Sequence, residues 1–68
     1  MFDAYLKRAD AEQIVRQWGH DRLMGTLERK FAPLDLQLYS VSTGWRTDPG
    51  VSVIKARGVN GDLLVKLV

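Results

Sequence analysis

An Asn60-Gly61 dipeptide between two β-rich runs constrains the fold of this chain more than any other feature. Residues 51–59 precede the dipeptide and residues 62–68 follow it, and both runs are rich in valine, isoleucine and leucine. Asn-Gly is a preferred sequence for a two-residue type I′ turn, because both central residues of that turn have positive φ. The sequence therefore predicts a β-hairpin that closes on Asn60-Gly61.

A two-residue turn would fix the register of this hairpin and assign every side chain to one of its faces. In that register Lys55 lies opposite Lys66, which is a repulsive pair. One face is wholly apolar and is predicted to be buried, whereas the other carries the charged side chains. The predicted buried face comprises Ile54, Ala56, Gly58, Leu63, Val65 and Leu67, and the predicted outer face includes Val53, Lys55, Arg57, Leu64, Lys66 and Val68.

The length of 68 residues predicts one small domain that spans residues 1–68. A chain of this size buries a modest share of its surface. Cysteine is absent, so neither a disulfide nor a thiolate metal site is available to stabilise it. We therefore expect the stability to come from good packing or from self-association.

Net charge and hydropathy exclude few classes of partner. Ten Lys and Arg residues against eight Asp and Glu residues give a net charge of +2, which does not by itself indicate nucleic acid. No apolar run approaches the roughly 20 residues of a membrane span, and the first residues lack the features of a signal peptide. We expect a cytoplasmic protein without a membrane partner.

Two apolar sets before residue 32 predict helices that are interrupted near Gly19. Asp10 and Gln13 form an approximate capping box at the start of the first helix. The two sets point about half a turn apart, so one straight helix cannot bury both against one core. We expect two short helices, 11–18 and 22–31, with one long helix that shares its second face with a partner as the alternative. The sets are Ala11, Ile14, Val15 and Trp18, then Leu23, Met24, Leu27 and Phe31.

The remaining segments complete the predicted fold. Residues 2–8 alternate as a strand would, but they contain good helix formers and are interpreted as helical. Residues 34–43 predict the first strand of a sheet, and Pro49-Gly50 suits the centre of a turn before the hairpin. The predicted architecture is a two-layer α+β domain in which N-terminal helices, two short or one broken, pack on a three-stranded antiparallel β-meander.

In such a meander the final strand, residues 62–68, has an open edge. Only Lys66 protects that edge from pairing with another chain. Either residues 2–7 add to it as a further strand, or the edge pairs with a second copy of the chain. We expect the second arrangement, a homodimer that buries residues 63–68 or the adjoining outer face.

Catalytic and metal-binding patterns are not evident in the sequence. His20 is the only histidine and lies beside Asp21, but adjacent side chains on a helix or turn generally point apart. No nucleophile is identifiable near them, and neither a glycine-rich phosphate loop nor a metal-ligand spacing occurs. The sequence therefore predicts a non-enzymatic protein without a cofactor.

Binding to another protein is the function that the sequence favours. The outer face of the hairpin carries more apolar side chains than a solvated face needs. Trp45 beside Arg46 matches the residue types that are enriched at interface hot spots, although Trp45 has the alternative of folding back onto the core. The candidate protein-binding residues are Trp45, Arg46, Val53, Leu64 and Val68.

Nucleic-acid binding is the alternative function. Basic side chains on the outer face, close to an aromatic loop residue, would suit a single strand. A capped helix, a glycine turn and a second helix with basic residues would also suit a major groove. The candidate residues for this alternative are Lys55, Arg57, Lys66, Arg22, Arg29 and Lys30.

Overall fold

A computed structural model describes residues 2–68 of the chain, with side chains from residue 4 onward. It is an α+β fold, as predicted, but its sheet has four strands of mixed direction rather than three antiparallel ones. In the part of the chain that the structure describes, neither helix is long and apolar enough to cross a membrane. The elements in chain order are β1 (Phe2–Leu6), α1 (Arg8–Trp18), α2 (His20–Lys30), β2 (Leu38–Val41), β3 (Val53–Gly58) and β4 (Leu63–Leu67).

The sheet has the strand order β1-β4-β3-β2, in which β1 runs parallel to β4 with Ala4 opposite Val65. The prediction of a helix for residues 2–8 is therefore wrong over the length of β1. Ala4 and Leu6 are buried while Tyr5 is exposed, which is the alternation of a strand. Pairing with β4 and burial of alternate side chains outweigh the helix propensity of the segment.

The edge of β4 that was expected to be open is covered within the chain. β1 occupies it, and the pairing continues beyond the strand. The backbone N–H of Val68 donates to the Leu6 carbonyl at 3.0 Å, and that of Arg8 donates to the Val68 carbonyl at 3.0 Å. Because β4 has a neighbour on each side, it cannot add a strand from a second copy. A homodimer can therefore not form by strand pairing at this edge, and a homodimer through the adjoining outer face stays a prediction.

The hairpin forms, but its register is shifted by two residues from the prediction. β3 and β4 pair with Lys55 opposite Leu64 and with Val53 opposite Lys66, so the predicted Lys55–Lys66 pair does not exist. A shift of two residues leaves every side chain on its predicted face. All predicted side chains of the buried face are buried, namely Ile54, Ala56, Leu63, Val65 and Leu67, and Gly58 on the same face is partly buried.

The turn itself differs from the predicted two-residue loop and spans residues 59–62. Gly61 has a positive φ of 147° but Asn60 does not, so a type I′ turn is not formed. The reason lies outside the hairpin, because the N–H of Val59 donates to the carbonyl of Gln37 at 2.9 Å. That bond extends the pairing of β3 to the residues before β2, and in the observed register the centre of the reversal lies nearer the N-terminus than Asn60-Gly61 predicts.

The two predicted helices are confirmed, and Gly19 separates them with a positive φ of 95°. Helix α1 begins at Arg8, and its N-cap is Lys7 without a side-chain hydrogen bond. The predicted capping box is therefore absent, because Asp10 lies inside the first turn. Both helices pack on the same face of the sheet and bury Ala11, Val15, Leu23 and Leu27 in the core.

Replacement of Gly58 by alanine is expected to destabilise the fold. An added Cβ would lie 2.6 Å from the carbonyl oxygen of Gly61 and 3.0 Å from that of Gln37, so backbone atoms must move. We expect the free energy of unfolding to fall by about 1–3 kcal/mol, the usual cost of overpacking. Urea denaturation measures this, with Gly44→Ala as the control because a Cβ there meets nothing within 4 Å. Equal losses in the two variants would contradict the steric explanation.

Candidate binding surface

The sheet presents one face without a covering layer, because both helices lie on the other. Alternate residues of β1, β3 and β4 point away from the core and build this outer face. Its exposed apolar members include Val53, which is 40% exposed, and Val68, which is 73% exposed. The described side chains of the outer face are Tyr5, Val53, Lys55, Arg57, Leu64, Lys66 and Val68.

Strand pairing arranges apolar and cationic side chains side by side on the outer face. Lys66 on β4 lies between Tyr5 on β1 and Val53 on β3. In the next row Leu64 lies opposite Lys55, and both are partly buried. Val53 and Leu64 therefore each have a lysine as their neighbour across the strands.

Tyr5 belongs to the outer face although the sequence reasoning missed it. Its ring is 60% exposed, and the Nζ atom of Lys66 lies 5.5 Å from the ring centroid, within cation–π range. The residue was missed because residues 2–8 were interpreted as a helix. The signal that would have found it is the alternation of Ala4 and Leu6, which are buried, around an exposed Tyr5.

Lys55 has a partner within the chain. Its Nζ atom lies 3.4 Å from Oδ2 of Asp62, and the same carboxylate accepts the N–H of Gly58 through Oδ1 at 3.4 Å. The predicted repulsion between Lys55 and Lys66 is thus replaced by an ion pair, and it no longer indicates an anionic partner. Arg57 is exposed and, with Lys66, supplies the remaining positive charge of the face.

Trp45 and Arg46, predicted together as an interface anchor, lie away from the outer face. Trp45 is completely buried in the core, so its alternative role of folding back is the correct one. The guanidinium of Arg8 donates to the carbonyl of Trp45 at 2.7 Å and to that of Val51, which holds the loop against α1. Arg46 is exposed, and it lines a cavity that Arg16 of α1 also lines.

The basic residues of α2 are also separated from the outer face. Arg22, Arg29 and Lys30 are exposed on the helical layer, whereas the basic residues of the sheet point to the opposite side. Gly19 alone connects the helices, which is shorter than the three or four residues of a typical helix–turn–helix connection. The two predicted nucleic-acid signals therefore do not form one surface.

Trp18 is exposed, contrary to its predicted place on the buried side of the first helix. It is the last residue of α1, where the chain turns at Gly19, and it is 53% exposed. The Cζ atom of Arg22 lies 5.2 Å from the centroid of the Trp18 ring. The two tryptophans have thus exchanged their predicted roles, with Trp45 inside and Trp18 at the surface.

Comparisons of the chain with protein-family models, with curated proteins and with solved structures found no match. The functional conclusion therefore depends on the chemistry of the described residues. That chemistry is densest on the outer face, where six of the predicted candidate residues lie. These six are Val53, Lys55, Arg57, Leu64, Lys66 and Val68.

Replacing each tryptophan by alanine is expected to separate their roles. Trp45→Ala removes a completely buried side chain, and we expect it to lower the free energy of unfolding by about 3–5 kcal/mol. Trp18→Ala is the matched control and should cost less than about 1 kcal/mol, because only partial burial and a cation–π contact are lost. Urea denaturation followed by circular dichroism measures both. A larger loss for Trp18→Ala would contradict this assignment of core and surface.

Proposed function

We propose that this is a small non-enzymatic binding protein whose outer face engages an acidic surface of a partner protein. The observation that carries the proposal is the alternation of apolar and cationic side chains on the uncovered face of the sheet. The exposed Val53 lies opposite Lys66, the partly buried Leu64 lies opposite Lys55, and Arg57 is exposed on the same face. Stable interfaces commonly combine an apolar centre with a polar rim.

Exposure of the apolar side chains supports a protein partner. Val53, Val68 and Tyr5 are each at least 40% exposed, and all three share the outer face with the partly buried Leu64. Contiguous exposed apolar side chains with a polar rim are typical of interaction sites. Tyr5 adds an aromatic ring, which is among the side chains enriched at interfaces.

The charge of the face favours a partner other than a second copy. Two copies that met through their outer faces would bring Arg57 and Lys66 of both chains together. Bringing like charges together at an interface costs roughly several kcal/mol, which opposes a symmetric dimer through the outer faces. A partner surface that carries aspartate and glutamate would instead complement these side chains. We therefore propose a heterologous acidic partner.

Single-stranded nucleic acid is the second candidate, because its phosphates would also attract the cations of the face. Such binding normally depends on aromatic side chains on which successive bases stack. Here the exposed tyrosines of the described sheet are Tyr5 and Tyr39, each 60% exposed, and they lie on the two edge strands, β1 and β2, with two strands between them. The central positions of Val53 and Leu64 are aliphatic and offer no stacking platform. A protein partner therefore fits the geometry better.

Charge reversal at Lys66 is expected to abolish partner capture while leaving the fold intact. We expect Lys66→Glu to weaken capture at least about tenfold, because it removes a cation and adds a repulsive anion at the centre of the face. The measurement is affinity capture from a lysate of the source organism, with bound proteins quantified by mass spectrometry. Arg29→Glu is the matched control, since it makes the same charge change on α2 and should retain the partner.

Two results would count against this proposed function. Capture that is equal for wild type, Lys66→Glu and Arg29→Glu would show that the outer face does not bind the captured protein. Capture that disappears on nuclease treatment, together with saturable binding of labelled oligo-dT that weakens steeply with salt, would support the nucleic-acid candidate instead.

The mass of the protein in solution tests whether a second copy competes for the outer face. We expect the mass of a single chain by analytical ultracentrifugation, because β1 covers β4 and like charges oppose pairing of the outer faces. Low ionic strength should strengthen this repulsion and keep the chain monomeric. A dimer that Leu64→Ser dissociates would show that two copies pair through this face.

A further inference from the structure

A cavity of about 450 Å³ lies between α1 and the loop that follows β2, and it is open to solvent on one side. We propose that this cavity is a second binding site, which takes the phosphate group of a small polar molecule. The proposal concerns residues of the helical layer and does not depend on the outer face. The lining residues are Glu12, Arg16, Thr43, Arg46 and Thr47.

Two guanidinium groups give the cavity its affinity for an oxyanion. Arg16 enters from α1 and Arg46 from the loop, so the cavity has a cationic side chain on each of two walls. The planar fork of arginine matches two oxygens of a phosphate at once, and such charge-assisted hydrogen bonds are the strong ones. Thr43 and Thr47 add hydroxyl groups, of which that of Thr47 donates to the carbonyl of Gly44 at 3.3 Å.

The one carboxylate in the lining, that of Glu12, is paired with a cationic side chain that is not part of the lining. Glu12 lies 3.8 Å from the guanidinium of Arg8, one turn before it on the helix. Its repulsion of an anion is reduced by that pair. Among the side chains of residues 4–68, no carboxylate lies within ion-pairing distance of Arg16 or Arg46. Both guanidinium groups can therefore turn their donors towards a ligand without breaking an ion pair of the described residues.

The walls of the cavity are held in place before a ligand arrives. Arg8 ties α1 to the loop through the carbonyls of Trp45 and Val51, and the buried ring of Trp45 anchors the same loop in the core. Arg46 directly follows this anchor in the sequence. The loop is therefore already ordered before a ligand binds. The entropy cost of ordering a loop, which usually opposes binding, is then small.

The size and polarity of the cavity define the class of ligand. Small-molecule sites commonly measure about 300–1,000 Å³, and this cavity falls within that range. The five lining side chains contain only carboxylate, guanidinium and hydroxyl groups as their polar ends, with no aromatic or branched aliphatic residue. A hydrophilic phosphate monoester, such as a sugar phosphate, fits that lining better than a planar or apolar molecule does.

Calorimetric titration with ribose 5-phosphate, ribose and inorganic phosphate tests the proposal. We expect saturable binding of ribose 5-phosphate and inorganic phosphate, and no binding of ribose. Arg16→Gln and Arg46→Gln should each weaken the binding of ribose 5-phosphate at least about tenfold, the effect of losing a charge-assisted contact. Arg22→Gln and Arg29→Gln are the matched controls, because they remove the same charge from exposed positions on α2.

The outcomes distinguish this site from general attraction of anions and from the outer face. No saturable binding of either phosphate compound at low salt would overturn the proposal, and so would equal weakening by Arg29→Gln and Arg16→Gln. Lys66→Glu should leave phosphate binding unchanged, and this holds whether or not the outer face captures a partner. Circular dichroism of each variant verifies that a lost signal reflects the missing guanidinium and not an unfolded chain.

Discussion

Parallel pairing between the first and the last strand is the constraint on which the rest of this structure depends. A parallel neighbour requires a crossover, and here the two helices and the antiparallel strands together provide it. The pairing covers the edge of β4, and it places Ala4 and Leu6 in the core. It also turns Tyr5 onto the outer face beside Lys66. One contact between distant segments therefore determines the sheet order, part of the core and part of the candidate surface.

Most of the outer face could be predicted from sequence, because side chains alternate between the two faces along a strand. This alternation assigns each residue of a strand to a face even when the neighbouring strands are unknown. Val53 and Leu64 were placed correctly even though the register was wrong, since a two-residue shift preserves the face. Tyr5 was not found, because the alternation of residues 2–8 is too short to decide between strand and helix, and the pairing with β4 that decides it is distant in sequence. Trp45 was misjudged as an anchor because its burial depends on a loop held by Arg8 from another element.

The same division between local and distant causes explains the rest of the fold. Two opposed apolar sets located the helix break at Gly19, and the pattern suffices because each set repeats within one helix. The hairpin turn was predicted from Asn60-Gly61 alone. Its actual position depends on Gln37, whose carbonyl accepts the N–H of Val59 from outside the hairpin. The preference of Asn-Gly for a two-residue turn thus stabilises less than the pairing of β3 with its other neighbour, β2.

Placing the first strand against the last has a consequence for synthesis on the ribosome. β1 leaves the exit tunnel well before its hydrogen-bonding partner β4, because both helices and two further strands lie between them in the sequence. Until then β1 exposes an unpaired backbone, and the apolar faces of α1 and α2 lack β4 beneath them. Contacts between residues that are distant in sequence slow folding, because the entropy cost of closing the loop comes before the contacts contribute any stability. The nascent chain is therefore expected to complete its sheet only after β4 has emerged, and chaperones can bind the unpaired β1 until then.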